Sequence, residues 1–240
     1  MRKNLIICRA GDKSLHKQWL GSENRNFDLW INYYGSVANK YLDNCIVYKQ
    51  SGGLKYPEVY TFISDNLSKL LHYDAICLMD DDISTDTNNL NMMFNIFHCG
   101  EFWLAQPALT ADSFFSHPIT VQVSDSILRI TNFIEPMCPI FRKDILLYLL
   151  HTFTESKSGW GLDFLWQHLL KYPRCKNMII DACPVKHTRA PGTGEAYRIL
   201  DVSPEAEAKD IMRKYSIKWP YPLVNYGGVK KQIRVKEDQS

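Results

Sequence analysis

A short apolar run, Ala75-Ile76-Cys77-Leu78-Met79, ends abruptly in three consecutive carboxylates, Asp80-Asp81-Asp82. The run has the length of a strand. Adjacent like charges are costly to hold together: at about 4 Å and an effective dielectric near 20, two unit charges repel by roughly 4 kcal/mol. A chain keeps such a cluster at a buried strand end when something cationic sits beside it. A hard divalent ion such as Mg²⁺ or Mn²⁺, which prefers carboxylate and phosphate oxygens, meets that need. The alternative at this point is a solvated acidic turn after a strand, a common arrangement.

The chain around this run alternates strand and helix signals. Asn4 to Cys8, Phe27 to Tyr34 and Cys45 to Lys49 read as strands. Pro57 to His72 carries a helical stripe of Val59, Phe62, Ile63, Leu67, Leu70 and Leu71. After the Asp cluster, Asp86 or Thr87 can cap a helix running to about Phe97. Further on, Phe102–Gln106, Ile127–Phe133, Met137–Phe141 and Asn177–Asp181 read as strands. Helices are expected from Lys143 to about Phe153, from the Gly159-Trp160-Gly161-Leu162-Asp163 segment through Leu170, and from Ser203-Pro204 to about Tyr215. This alternation predicts an α/β sheet with parallel strands. Ligands of such sheets bind at the carboxyl ends of the strands, where the Asp cluster falls. That placement favours the metal over the solvated turn.

Composition narrows the setting. A net charge of +2 over 240 residues gives no basic field for nucleic acid. The seven cysteines are scattered, without a C-x-x-C pair, as expected of free thiols in a reducing compartment, and the protein is expected to be cytoplasmic. No run approaches the roughly 20 apolar residues of a membrane span, and the apolar stretch at the N-terminus is too short for a signal-peptide core. One domain over residues 1–228 is expected, with a charged tail over 229–240. Lys230, Lys231, Arg234 and Lys236 are compatible with a weak peripheral contact to an anionic membrane surface.

Several residues can carry chemistry. Asp80 and Asp82 form a D-x-D pair, and on extended backbone residues i and i+2 share a side, so both carboxylates can face one ion. Such an ion can bridge two phosphates of a diphosphate leaving group. Asp163, in Trp160-Gly161-Leu162-Asp163, falls in the first turn of a helix, where the dipole favours its ionised form and a base role, or simple capping. His187 can ligate a metal and Arg189 can fork onto phosphate. Pro191-Gly192-Thr193-Gly194 reads as a loop able to close over a substrate. Trp103 and Trp160 are candidate stacking surfaces, whereas Trp166 reads as core. Glu135, before Pro136, can contact an acceptor or merely end a strand.

In this order, the strand with its D-x-D, the Trp-Gly-Leu-Asp segment and the late histidine resemble a metal-dependent glycosyltransferase of the GT-A type. Gly11-Asp12-Lys13-Ser14-Leu15-His16, Leu78-Met79-Asp80-Asp81-Asp82, Gln106-Pro107-Ala108-Leu109, Glu135-Pro136-Met137-Cys138-Pro139-Ile140-Phe141, Trp160-Gly161-Leu162-Asp163 and His187-Thr188-Arg189 are similar, more narrowly, to a plant and bacterial family of unknown function assigned to that fold. The resemblance implies a single GT-A-like, Rossmann-like domain with a central, mostly parallel sheet flanked by helices. It implies a Mn²⁺ or Mg²⁺ site at Asp80, Asp82 and His187, with Asp82 the more direct ligand. Asp163 corresponds to the base of inverting members. Arg9, Gly11, Asp12, Asp80, Asp81 and Arg189 correspond to the nucleotide side. The implied partners are a nucleotide-sugar donor and a carbohydrate or glycolipid acceptor. One departure is Leu162, where many inverting enzymes carry a second acid. Two other readings stand beside this one. A non-catalytic nucleotide- or sugar-binding module could share the fold, and Asp80-Asp81-Asp82-Ile83-Ser84 also fits the D-x-D-x-[TSV] motif of haloacid-dehalogenase-type phosphatases.

Overall fold

A computed structural model describes residues 2–190, 192–193, 200–201, 203–218 and 221–232. They form ten β-strands and six α-helices. In chain order the elements are β1 (Asn4–Ala10), β2 (Phe27–Tyr33), β3 (Val47–Gln50), α1 (Lys55–Asp65), α2 (Leu67–Leu70), β4 (Ala75–Asp80), β5 (Ile83–Ser84), α3 (Thr87–His98), β6 (Leu104–Leu109) and β7 (Ser126–Thr131). Then follow β8 (Ile140–Arg142), α4 (Lys143–Leu149), α5 (Leu162–Leu169), β9 (Asn177–His187), α6 (Pro204–Lys214) and β10 (Asn225–Lys230).

One sheet runs β10-β7-β9-β6-β8-β4-β1-β2-β3, and the short β5 pairs with β9. β1, β2, β3 and β4 are parallel, as are β6 and β9. β8 lies antiparallel between β4 and β6. Alternate residues of β1 enter opposite cores: Leu5 and Ile7 pack with α1, α4, α5 and α6, while Ile6, Cys8 and Ala10 pack with α3. A sheet covered on both faces needs strands that are apolar on both faces, which is why β1 and β4 read as unbroken apolar runs. The architecture is the α/β one expected from the alternation.

Several expectations need correction. The helix expected over Pro57 to His72 breaks at Asn66, whose side chain bonds the Phe62 carbonyl at 3.0 Å. Asparagine offers the backbone such a local alternative to the helical ladder. The expected strand Asn177–Asp181 continues to His187, because its second half pairs with β5. β10 had no strand signal; each of its residues is exposed, it contains Gly227 and Gly228, and it takes in Val229 and Lys230 at the start of the expected tail. The last eight residues of that tail lie outside the described residues, as do parts of the 191–194 loop. All seven cysteines are free, and Cys8, Cys77, Cys138 and Cys183 are buried. Among the described residues no helix is long and apolar enough to cross a membrane.

One buried ion pair ties β7 to β9. The Arg129 guanidinium forks onto Asp181 at 2.8 and 2.9 Å and also caps the carbonyls of Ile119 and Val121. Asp181 is 0% exposed, so removing its partner strands a buried charge. Urea unfolding of Arg129→Met should show a loss of about 3–5 kcal/mol. Adding Asp181→Leu should recover part of that loss; a double variant less stable than the single one would contradict this account.

Candidate active site

β4 ends at Asp80, and Asp81-Asp82 form a turn before β5. The pleat expected to align Asp80 with Asp82 is therefore absent; the turn folds the two carboxylates together instead. β5 pairs Ile83 with His187, which carries the histidine to the same point. Thr188 fastens the turn by donating its N–H and its hydroxyl to the Asp82 carbonyl at 3.1 and 2.8 Å. One ligand atom from each of Asp80, Asp82 and His187 lies within 4.8 Å of the others.

Each carboxylate has a different set of partners. Asp80 Oδ1 is 2.5 Å from Lys55 Nζ, at the first residue of α1. Asp81 accepts the Gly11 N–H at 2.6 Å and pairs with Arg189. Asp82 Oδ2 lies 3.0 Å from Arg189 Nε and 3.3 Å from His187 Nε2. His187 Nδ1 donates to the Phe114 carbonyl at 2.9 Å, which aims Nε2 at the cluster. Asp82 Oδ1 is buried and finds no hydrogen-bond partner.

That set fits a divalent cation. Two carboxylates and an imidazole held by a second hydrogen bond can serve as ligands to a divalent ion, and the orphaned Asp82 oxygen supplies a lone pair that nothing else uses. Protein cations otherwise occupy the cluster. Burial raises the Asp80 pKa against the pull of Lys55, and raises that of Asp81 to about 6. Burial also opposes ionisation of Asp82, but His187 and Arg189 outweigh it and hold this carboxyl below its ordinary value. Burial would lower the His187 pKa, yet Asp82 and Asp80 push it up to about 9. A bound cation would displace that proton.

The cluster forms one wall of a cavity of about 440 Å³. Asp163, Glu135, Trp160 and His117 line other parts of it. Asp163 stands in the first turn of α5, and its Oδ1 accepts the Phe164 N–H at 2.9 Å. The helix start was expected to favour its ionised form. Burial wins instead and, with the charge of Glu135, pushes its pKa up to about 7. At only 5% exposure, desolvation outweighs the partial charge of one helix end.

The segment before Asp163 is held by a residue that sequence reasoning missed. The buried Glu207 carboxylate of α6 accepts the N–H groups of Lys157 and Ser158 at 2.5 and 2.8 Å and the Ser156 hydroxyl at 2.9 Å. Gly161, at φ +88°, passes so close to α6 that a Cβ would meet Ala208 Cα at 3.0 Å. Lys55 was missed as well; an isolated lysine at a helix start carries no signal for a carboxylate 25 positions later.

The nucleotide side agrees less well with expectation. Arg9 lines the cavity, but its guanidinium is engaged by Asn32 and by the carbonyls of Ser51 and Gly53. Arg189 is held by Asp81 and Asp82. Gly11 and Asp12 do not line the cavity; Gly11 anchors Asp81, and Asp12 bonds Tyr33 and Lys40. Trp166 is core, and Trp103 packs against it from partial burial, away from the cavity.

The fold is similar to that of known structures. Staphylococcus aureus TarS 1–349, in a complex with UDP-GlcNAc, is 11% identical over 90% of this chain, with a TM-score of 0.56. A further TarS structure gives 8% identity and a TM-score of 0.52. The chain spans 66% of the first of these and 43% of the second. A putative nucleotide-diphospho-sugar transferase from Desulfovibrio desulfuricans G20 is 11% identical, with a TM-score of 0.47. No protein-family model matches the chain, and no curated protein sequence matches it significantly. The likeness to the two TarS structures is one of fold, the α/β sheet flanked by helices described above.

The burial of Asp163 has a measurable consequence. Its folded pKa, about 7, lies above the unfolded value of 3.8. The native state therefore loses stability as pH rises from about 4 through 7, by about 4 kcal/mol. Calorimetry should show Asp163→Asn melting roughly 5 °C or more above wild type at pH 8, with the gap closing towards pH 4. A gap independent of pH would contradict the assignment.

Proposed function

We propose that the protein is a metal-dependent glycosyltransferase that moves a sugar from a nucleotide-sugar donor to a hydroxyl acceptor, in polysaccharide or glycoconjugate synthesis. The observation that carries this reading is the gathering of Asp80, Asp82 and His187 at the carboxyl end of β4, in one cavity with Asp163. Its volume of about 440 Å³ lies within the range of small-molecule sites. The GT-A-like fold supports the same reading, and the UDP-GlcNAc bound to TarS makes UDP-sugars the first donors to try. The free cysteines favour a reducing, cytoplasmic setting.

Asp80, Asp82 and His187 would hold Mn²⁺ or Mg²⁺, which supplies positive charge to a diphosphate leaving group. Asp163 acts as the base. Its carboxylate takes the proton of the acceptor hydroxyl, whose oxygen forms the new bond to the anomeric carbon. The bond from that carbon to the diphosphate breaks, and the diphosphate leaves with the electron pair. Attack from the face opposite the leaving group inverts the anomeric centre. A base that titrates near 7 is matched to neutral pH. Asp81 orders the loop after β1 through Gly11 and presents Arg189 beside the cluster. Arg9, Gly11 and Asp12 shape the nucleotide side, with Arg9 bracing β1 against the loop before α1.

A thermal-shift panel of nucleotide diphosphates and nucleotide sugars, with and without Mn²⁺, tests donor and metal together. A Mn²⁺-dependent rise in Tm is expected in wild type and should vanish in Asp82→Asn. Asp163→Asn should retain the rise while losing roughly 100-fold or more in transfer rate. Donor binding without turnover, even with acceptors supplied, would mark a binding module instead. Equal turnover by wild type and Asp82→Asn across the donor panel would sink the metal role.

A further inference from the structure

Glu135 has no part in the chemistry described so far, yet its position is fastened on both sides. Its N–H donates to Gln106 Oε1 at 2.6 Å. The next carbonyl, of Pro136, accepts from both Lys55 Nζ and Tyr56 Oη at 2.7 Å. Pro136 itself restricts Glu135 to extended backbone. The side chain held this way reaches the same cavity as Asp163 and the Asp80 cluster. Its Oε2 is nevertheless shielded from solvent and finds no hydrogen-bond partner.

A carboxylate oxygen buried without a donor is a cost to the fold. A glutamate whose role was stability would have both oxygens satisfied, as Glu207 does nearby. The charged groups that act on Glu135 are His187, Asp80, Lys55 and Asp163. An anion in that position repels a diphosphate, so Glu135 suits the uncharged side of the reaction. Two carboxylates lining one cavity, Glu135 and Asp163, match a ligand with two O–H donors. Trp160 also lines the cavity, presented between Gly159 at φ +90° and Gly161 at φ +88°, and offers an aromatic surface for the apolar side of a sugar ring.

We infer that Glu135 binds the acceptor, its carboxylate taking a hydrogen bond from a hydroxyl adjacent to the one that attacks. The acceptor is then a saccharide or polyol with two neighbouring hydroxyls, not an isolated alcohol. This rests on the glycosyl-transfer reading above.

The test compares wild type and E135Q in initial rates with UDP-GlcNAc, Mn²⁺ and pairs of methyl glycopyranosides. The members of each pair differ by one hydroxyl next to the accepting position. In wild type the deoxy member should lose tenfold or more in kcat/KM. In E135Q the two members should fall within twofold of each other, with the loss carried by acceptor KM and little change in donor KM. Retention of the tenfold discrimination by E135Q overturns the inference alone. So does a tenfold loss of Mn²⁺ affinity, titrated by thermal shift without donor, since that would put the carboxylate on the metal. A Tm for E135Q below wild type at pH 8 would assign Glu135 to the fold and also overturn it. Wild-type protein that neither transfers to any glycoside nor hydrolyses UDP-GlcNAc sinks the UDP-GlcNAc form of the transfer reading, and the inference with it.

Discussion

Three carboxylates at the end of one buried strand cannot share a desolvated site unless positive charge is brought to them. That requirement organises the region around β4. Lys55 arrives from α1, Arg189 and His187 from the end of β9, and the Gly11 N–H from the loop after β1. Each group comes from a different part of the chain, and the sheet order puts the ends of β1 and β4 side by side. The short β5–β9 pairing then draws the end of β9 to the Asp81-Asp82 turn. The acidic turn thus serves as a hub for local tertiary structure as well as a candidate ligand set.

The part of the cavity lined by Asp163 and Glu135 is built on a different principle. Asp163 and Glu135 are held by backbone fastening and burial, with little charge pairing, and burial raises both to about 7. The Asp80–Asp82 side is dense in compensating charge and the Asp163–Glu135 side is not. In the proposed transfer, a charged leaving group would sit on the first side and a hydroxyl that must give up a proton on the second. α6 stabilises this asymmetry at a distance, because Glu207 ties down the 156–158 segment that leads into Gly161 and Asp163.

Much of the fold was legible in residue patterning. Two-sided apolar runs announce covered strands, and β1, β2 and β4 follow them closely. Asp86 caps α3 and Ser203 caps α6 as their side chains suggest. Legibility failed where no local preference exists. β10 is exposed and glycine-rich, so its strand state comes from pairing with β7. β5 is two residues long and exists through β9. In the site, Asp80, Asp82, Asp163 and His187 stood out by chemistry and spacing, whereas Lys55 and Glu207 did not, since their partners lie far along the chain.

The sequence by itself determined the alternation of elements, the placement of an acidic cluster at a strand end, and the residue types able to bind a cation. Tertiary structure alone decided how those types are used. It replaced an extended D-x-D with a turn, committed Arg9 and Arg189 to internal partners, and moved Gly11 and Asp12 off the cavity wall. It also reversed the expected charge preference of Asp163. The physical reason is the same in each case: hydrogen-bond saturation and desolvation depend on neighbours brought from elsewhere in the chain, and local sequence carries no record of them.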